Sequence, residues 1–276
     1  MAATGRLTAA GRAVESRRAD RLFEDPLAEA LAGEEGFRLM DHWRLPGMPE
    51  ENPTIGPRTR FWDDLVIDSI ADGLGQVVLI AAGMDSRAFR LPLPAEVTVF
   101  ELDLPELLER KRAILMEQHA EPRCHRVVVP ADLAEKDWPR ALTAAGFDTA
   151  RPAVFIVEGF SWYLTEKENA CLLDHLAGLA APGSRLGIDV VSSDFLENPA
   201  VAPFFEFAAA HGIRWQFGTN DPARFLAAHG WRADVSDFDA VARRFGRWPP
   251  PGVSEAVAAR AAAASRSYFI CADRNT

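Results

Sequence analysis

Short apolar runs alternate with helical segments along most of the chain. Five such runs follow one another, in order QVVLIAAG (76–83), VTVFELD (97–103), RVVVPAD (126–132), AVFIVEG (153–159) and RLGIDVV (185–191). Apolar runs this short, each bounded by turn residues, are typical of strands buried on both faces of a sheet. Because helical segments separate them, the strands are predicted to be parallel, with helices on both sides. The pattern therefore predicts an α/β fold with a doubly wound, mostly parallel sheet.

Apolar residues at helical spacing fill the intervals between these runs. The clearest examples are the segments 105–119 and 165–183. The second begins with Thr165 and has Glu168 three positions later, which is the pattern of a capping box. Two more apolar runs near the end of the chain are predicted to be closing strands, at 230–238 and 265–274.

The N-terminal part of the chain differs from the rest. It has the pattern of helices and is interrupted by RLPGMPEENPTIGP, residues 44–57. We therefore expect residues 1–57 to form a helical cap segment and residues 58–276 to form the main ligand-binding domain.

The segment from about 192 to 221 breaks the alternating pattern and is rich in aromatic residues. It contains Phe195, Phe204, Phe205, Phe207, Trp215 and Phe217. One interpretation is an extra packed helix, and the other is a lid over an apolar substrate. The two interpretations are compatible. Under the second, Phe204 and Trp215 are the candidate substrate-binding residues.

Acidic residues follow almost every predicted strand. They are Asp85, Glu101, Asp103, Asp132 and Glu158. Ligands of open α/β sheets bind beyond the carboxyl ends of the strands. The first turn, Ala81-Ala82-Gly83, has a single glycine and lacks the G-x-G-x-x-G pattern that admits a pyrophosphate. Carboxylates at this place repel phosphate and suit a cationic ligand with hydroxyl and amino groups. S-adenosylmethionine carries these groups.

Five ordered motifs carry a resemblance to a known family. They are RTRFWDD (58–64), VVLIAAGMDSRAFRL (77–91), VFELDLPELLERK (99–111), ADL (131–133) and FIVEGFSWYLT (155–165). Together they resemble the leucine carboxyl methyltransferase family of class I S-adenosylmethionine-dependent methyltransferases, with bacterial polyketide and small-molecule O-methyltransferases as the nearest branch. The resemblance runs from about Arg12 to Asp273. It implies a Rossmann-like sheet with N-terminal helices and makes residues 58–276 the S-adenosylmethionine-binding domain.

The resemblance also implies a cofactor site. Its members are Arg60, Ala81, Gly83, Asp85, Asp103, Asp132, Leu133 and Glu158. Arg60 is expected to pair with the cofactor carboxylate, Asp103 to accept hydrogen bonds from the ribose hydroxyls, and Glu158 to lie beside the ammonium group. The first turn is expected to face the methionine part, and the residues after the third strand the adenine. The family usually has glycine where Ala81 stands.

Two of these assignments rest on a choice between near neighbours. Glu101 and Asp103 are two residues apart on a predicted strand, and Asp103 is preferred because only the residue at the strand end reaches a ligand. Arg58 competes with Arg60 for the cofactor carboxylate, and Arg60 is preferred.

Other assignments have a purely structural alternative. Asp85, Arg87 and Arg90 are as consistent with a salt-bridge cluster that fixes the loop as with direct ligand contact. Glu158 has the capping of the following turn as its alternative. Tyr163, the candidate catalytic residue, either lines the methyl-transfer site or packs behind it.

Charge and composition exclude several classes of function. A formal net charge of -10 and a pI near 5.2 argue against a nucleic-acid or anionic-membrane surface. No apolar run has the length of about 18 residues that a membrane span requires. The three cysteines and six histidines follow no metal-ligand spacing, so no metal site is expected. The protein is expected to be cytoplasmic, and a homodimer is left open.

The predicted reaction is methyl transfer from S-adenosylmethionine to a carboxyl or phenolic oxygen of a small apolar natural-product acceptor. No obvious general base stands out, which favours a carboxylate because it is already ionised at neutral pH. Two alternatives stay open: a nicotinamide-dependent oxidoreductase, and a non-catalytic or rearrangement protein that keeps the cofactor pocket.

Overall fold

All seven predicted strands lie in one sheet of the computed structural model, which describes residues 2–42, 53–210, 212–264 and 266–274. The strands are β1 Gln76–Ile80, β2 Thr98–Asp103, β3 His125–Pro130, β4 Val154–Val157, β5 Arg185–Val191, β6 Trp231–Asp237 and β7 Ser267–Arg274. Their order in the sheet is β3-β2-β1-β4-β5-β7-β6. The first five are parallel, and β7 lies antiparallel between β5 and β6. The predicted α/β fold with a mostly parallel Rossmann-like sheet is confirmed.

Helices precede these strands and separate them along the chain. They are α1 Ala2–Arg17, α2 Ala28–His42, α3 Ile55–Ala71, α4 Arg87–Arg90, α5 Pro105–Glu117, α6 Trp138–Ala144, α7 Glu166–Leu179, α8 Ser193–Glu197, α9 Ala202–Ala210, α10 Pro222–Ala227, α11 Phe238–Arg244 and α12 Glu255–Ala264. Short 3₁₀ turns lie at Ser161–Tyr163 and Pro199–Val201. The predicted capping box of α7 is confirmed, because the Thr165 hydroxyl accepts from the Glu168 backbone N–H while the Glu168 carboxylate accepts from that of Thr165.

The central strands are buried on both faces, as their apolar runs require. Every residue of β1 and β4 is buried. Val78 and Ile80 belong to one hydrophobic cluster, whereas Val77 and Leu79 belong to another. Successive side chains of a strand point to opposite faces, so the two clusters are the two helix-covered faces of the sheet.

The N-terminal helices pack together and reach the sheet through α3. Helix α3 begins at Ile55, so the predicted boundary after residue 57 falls in its first turn. Most of the predicted break at 44–57 lies outside the described residues. None of the described helices combines the length and the apolar character that crossing a membrane requires.

A buried ion cluster lies beneath β2. Lys111 Nζ donates to Glu101 Oε2 at 2.7 Å, and Arg126 Nη2 donates to the same oxygen at 2.6 Å. The side chains of Lys111 and Glu101 are both 0% exposed. Burial opposes the ionisation of Glu101, but the two cations outweigh it and hold the pKa of Glu101 below its usual value. Glu101 is therefore a structural residue. Of the two acids of β2, only Asp103 is available for contact with a ligand.

Removing the amine from this cluster tests its structural role. We expect Lys111→Met to lower the free energy of unfolding by about 3 to 5 kcal/mol, because Glu101 loses a partner in a site that excludes water. Lys167→Met is the matched control, since Lys167 is exposed on α7 and its loss is expected to change stability by less than about 0.5 kcal/mol. Urea unfolding measures both. Equal stability of the two variants would contradict the assignment.

Candidate functional site

A cavity of about 550 Å³ lies at the carboxyl ends of β1, β2, β4 and β5. This is the edge at which open α/β sheets bind their ligands, and the volume is typical of a small-molecule site. Helix α1 and the first turns of α3 close one side of it, and the aromatic segment after β5 closes another.

The turn after β1 places backbone rather than side chains against the cavity. Ala81 has a φ of 54° and Gly83 a φ of 49°, both in the left-handed region. Glycine enters this region without strain, whereas an alanine there costs about 1 to 2 kcal/mol. The Gly83 N–H donates to Asp103 Oδ2 at 2.7 Å, so the turn is tied to the end of β2. Both Ala81 and Gly83 line the cavity.

Asp103 ends β2 with its carboxylate at the cavity. Its other oxygen, Oδ1, accepts from the backbone N–H of Leu104 at 2.7 Å. Asp103 is 8% exposed, and this burial raises the pKa of its carboxyl group, although the two backbone donors act in the opposite direction. A carboxylate has about four acceptor positions, so two remain for a ligand.

Asp132 and Leu133 also line the cavity, next to the end of β3. Asp132 is exposed, and its Oδ1 accepts from the Ala134 N–H at 2.9 Å. The loop is thereby fixed in a turn that keeps Leu133 half-buried. The two residues form the end of the cavity farthest from β5.

Glu158, just after β4, lies between two arginines. Its Oε1 accepts from Arg58 Nε at 2.9 Å, and its Oε2 accepts from Arg87 Nη2 at 2.8 Å. Burial alone would raise the pKa of Glu158, but the charges of Arg87 and Arg58 outweigh it and lower that pKa. Glu158 lines the cavity as an ionised group that is paired within the protein.

Arg87 extends this network to α3 and to the loop after β1. Its Nε donates to Asp63 at 2.8 Å and its Nη1 donates to Asp85. Arg90 donates to both oxygens of Asp63, at 2.5 and 2.7 Å. Burial opposes the ionisation of Asp85, but the positive charges of Arg87, Lys111, Arg90 and Arg12 together outweigh it and lower the pKa of Asp85 to about 2. The salt-bridge alternative for Asp85, Arg87 and Arg90 is therefore present, although all three also line the cavity.

The structure places Arg60, the arginine preferred from the sequence for the cofactor carboxylate, outside the lining of this cavity. The Arg60 side chain is 42% exposed and donates to Asp64 and to the Leu22 carbonyl, away from the cavity. Arg58 lines the cavity and its side chain is 11% exposed. Two residues on a helix differ by about 200°, so only one of the pair can face the sheet edge. Arg58 is the one that does.

Asp189, near the end of β5, is a cavity residue that the sequence did not bring out. Its Oδ1 accepts from the Gly159 N–H at 2.7 Å. Its Oδ2 is buried without a hydrogen-bond partner among the described residues and lies 3.9 Å from Arg58 Nη1. Burial raises the pKa of Asp189 to about 7, with Glu158 adding to the effect and Arg58 opposing it. The sequence feature that could have identified Asp189 as a site residue is its position as the single acid inside the apolar run RLGIDVV.

Aromatic rings form the remaining wall. The rings that line the cavity are Phe160, Trp162, Tyr163, Phe195, Phe204, Trp215, Phe238 and Phe269. Trp215 is stacked between Trp162, at 4.7 Å between centroids, and Phe195, at 5.7 Å. Phe205 also contacts Trp215 but does not line the cavity. Phe204 and Trp215, the candidate substrate-binding residues, both belong to this lining.

Tyr163 lies in the 3₁₀ turn after β4 and lines the cavity. Burial raises the pKa of its hydroxyl above the usual value. At neutral pH the hydroxyl is therefore a hydrogen-bond donor rather than a base.

In the described parts of the chain, no group of three or more His, Cys, Asp or Glu side chains is arranged to hold a metal ion.

Comparison with other sequences finds the same family that the motifs resemble. The profile of the leucine carboxyl methyltransferase family matches residues 6–177. A Streptomyces coelicolor protein named as an S-adenosyl-L-methionine-dependent methyltransferase is 39% identical over 247 residues, which cover 86% of this chain and 84% of that protein. A Mycobacterium avium protein with this name is 34% identical over 287 residues, covering 92% and 91% of the two chains.

Two crystal structures share the fold at low sequence identity. A DUF574 family protein from Streptomyces avermitilis has a TM-score of 0.63 at 15% identity, covering 99% of this chain and 97% of that chain. A Thermobifida fusca protein named as a methyltransferase has a TM-score of 0.57 at 16% identity, covering 95% and 96%. The similarity to both extends over nearly the whole chain.

Arg58 and Arg60 provide a matched pair for testing which arginine serves the site. We expect Arg58→Gln to weaken the binding of S-adenosylhomocysteine by roughly 10- to 100-fold, since a charge-assisted bond of about 1.5 to 3 kcal/mol is lost. Arg60→Gln is expected to change the dissociation constant by less than about twofold. Calorimetric titration measures both. A larger effect at Arg60 would restore the assignment made from the sequence.

Proposed function

The chain belongs to the leucine carboxyl methyltransferase family and uses S-adenosylmethionine as its methyl donor, and we propose that it transfers the methyl group to an oxygen atom of a small apolar acceptor. The observation that carries the proposal is the division of one cavity into two parts. One part is lined by strand-end carboxylates and backbone, and the other by aromatic rings.

The polar part fits the groups of the cofactor. Asp103 has two acceptor positions left for the ribose hydroxyls, after its bonds to the Gly83 and Leu104 backbone. Arg58 has five N–H donors, and its single bond to Glu158 leaves capacity for the cofactor carboxylate. We assign the adenine to the half-buried Leu133 and the neighbouring Asp132, and the methionine chain to the turn at 81–83.

When bound, S-adenosylmethionine supplies an electrophilic methyl group on a positively charged sulfur. The chain's task is then to hold an acceptor oxygen in line with that methyl group, about 3 to 3.5 Å away, and to exclude water. The aromatic wall serves both purposes, because it offers apolar contact area and excludes water from the acceptor part. Tyr163 lies at this wall as a neutral hydrogen-bond donor, a suitable group for orienting the acceptor.

Of the two alternatives to methyl transfer, one is excluded and the other still requires an experiment. The nicotinamide-dependent oxidoreductase is set aside by the family to which the chain belongs. A protein that binds the cofactor without transferring its methyl group is the alternative that experiment must address. A small-molecule natural-product acceptor remains part of the proposal, as the size and apolar wall of the cavity support it.

The proposal is tested with three naphthalene compounds that differ only in the functional group that accepts the methyl. 2-Naphthol, 2-naphthoic acid and 2-naphthylamine are incubated with the protein and methyl-labelled S-adenosylmethionine, and products are identified by mass spectrometry. Label is expected on oxygen only. An ester loses the label in alkali and an ether does not, so the two oxygen products are distinguished. Label on nitrogen or carbon would contradict O-methylation. Binding of the cofactor with no transfer to any compound would favour the non-catalytic alternative.

Neighbouring rings on α9 test whether the aromatic segment binds the acceptor. Phe204 lines the cavity, whereas Phe205 contacts Trp215 from outside it. We expect Phe204→Ala to raise the Michaelis constant for the naphthalene compound that accepts the methyl group by about tenfold. The dissociation constant of S-adenosylhomocysteine is expected to stay within twofold. Phe205→Ala is the control and is expected to leave the Michaelis constant nearly unchanged. Equal losses of stability and cofactor affinity in both variants would mean that the segment is packing only.

A further inference from the structure

Among the described residues that line the cavity, no cation is left for an acceptor. Four arginines line it, against six acidic residues. Each of the four is already paired: Arg12 with Asp25 at 2.8 Å, Arg90 with Asp63 at 2.5 Å, and Arg58 and Arg87 with Glu158. Of these, Arg58 is the one assigned to the cofactor carboxylate. A carboxylate acceptor would enter a space that already has an excess of negative charge, at several kcal/mol if it remained unpaired.

Asp189 adds a specific group to this general field. It lies on β5 beside Phe269, and Arg58, which is assigned to the cofactor carboxylate, is close to it on the other side. Asp189 is therefore placed where the polar part of the cavity meets the aromatic part. Gly159 holds its Oδ1 at 2.7 Å, which fixes the direction of the carboxyl group. Its Oδ2 has no hydrogen-bond partner within the described ranges, and Arg58 Nη1 at 3.9 Å is beyond hydrogen-bond distance. Since Asp189 also lines the cavity, we expect a donor from a ligand to satisfy this oxygen.

We propose that the acceptor is a neutral hydroxyl group on a flat apolar ring, and that Asp189 accepts the hydroxyl proton during methyl transfer. The proposal rests on the proposed O-methyltransferase function and narrows it from any oxygen to a hydroxyl. It replaces the expectation that a carboxylate is favoured, which had depended on the absence of an evident base.

The transfer step balances without a further reactant. The acceptor oxygen forms a bond to the methyl carbon as the carbon–sulfur bond breaks, and the electron pair of that bond stays on sulfur as a neutral thioether. The O–H bond breaks, and its proton passes to Asp189 Oδ2. The products are a methyl ether, S-adenosylhomocysteine and a protonated Asp189, which returns its proton to solvent after product release.

The surroundings of Asp189 suit a base that works near neutral pH. Arg58 of α3 faces it and opposes protonation, whereas Glu158 after β4 favours it, and Tyr163 of the 3₁₀ turn is neutral. Its partner on β7 is the uncharged Phe269. Because burial raises the pKa to about 7, the competent ionised form accumulates as pH rises through 7. Turnover of a hydroxyl acceptor should therefore rise over this range and then level off.

The first test compares two rings that differ in one group. Calorimetry measures the binding of 2-naphthol and of 2-naphthoate to the protein saturated with S-adenosylhomocysteine, at pH 7.5. The naphthol is expected to bind at least tenfold more tightly. Tighter binding of the naphthoate, or binding of neither compound at its solubility limit, would overturn the proposed acceptor class.

The second test removes the base and keeps the shape. Asp189→Asn retains an oxygen for the Gly159 N–H but cannot take a proton. We expect turnover of 2-naphthol to fall by about 100-fold or more, with loss of the rise near pH 7, while the dissociation constant of S-adenosylhomocysteine stays within about threefold. The cofactor titration also shows that the variant is folded.

Asp237→Asn is the matched control. Asp237 ends β6, has a buried Oδ1 without a hydrogen-bond partner in the part of the chain that the structure describes, and does not line the cavity. The turnover of 2-naphthol by the Asp237→Asn variant and its pH profile are expected to equal those of the unaltered protein. Unchanged turnover of the naphthol in Asp189→Asn would overturn the proposal. Transfer only to the naphthoate would overturn it too, yet would leave the proposed O-methyltransferase function intact.

Discussion

Buried carboxylates and guanidinium groups at the ends of β1 and β4 hold the site together. Each of these charges would cost several kcal/mol if left unpaired away from water, so Glu158, Asp63 and Asp85 depend on Arg58, Arg87 and Arg90 for their place. The network joins α3, α4, the first turn and the loop after β4. The walls of the cavity are held in place because separating these elements would leave a buried ion without its partner.

The network also decides what the cavity can bind. Because the described lining has more acids than arginines, it has an excess of negative charge, which is compatible with a positively charged sulfonium cofactor. In the proposed arrangement, backbone and Asp103 at the ends of β1 and β2, together with Arg58, bind the polar groups of that cofactor. The acceptor is left with aromatic rings, Tyr163 and Asp189. A neutral, apolar acceptor agrees with both the packing and the charge.

The strands and the strand-end acids could be predicted from the sequence, because runs such as QVVLI report burial directly. The position of β7 between β5 and β6 could not, since nothing local records the order of strands. Arg58 and Arg60 could not be separated because the phase of α3 depends on what it packs against. Asp189 was not predicted because it lies inside the apolar run of β5, two residues before the strand end, whereas the acids chosen from the sequence lie at or after strand ends. Phe204 and Phe205 are neighbours on α9, and the sequence does not show which of the two rings faces the cavity.

A crystal structure of the protein with S-adenosylhomocysteine tests the central claim most directly. The ribose hydroxyls are expected within 3.2 Å of the Asp103 carboxylate and the amino-acid carboxylate within 3.2 Å of Arg58, with the vacated methyl position facing the Trp215 wall. The ligand bound beside Arg60, or in a place that leaves Asp103 without contact to it, would contradict the assignment of this cavity as the methyltransferase site.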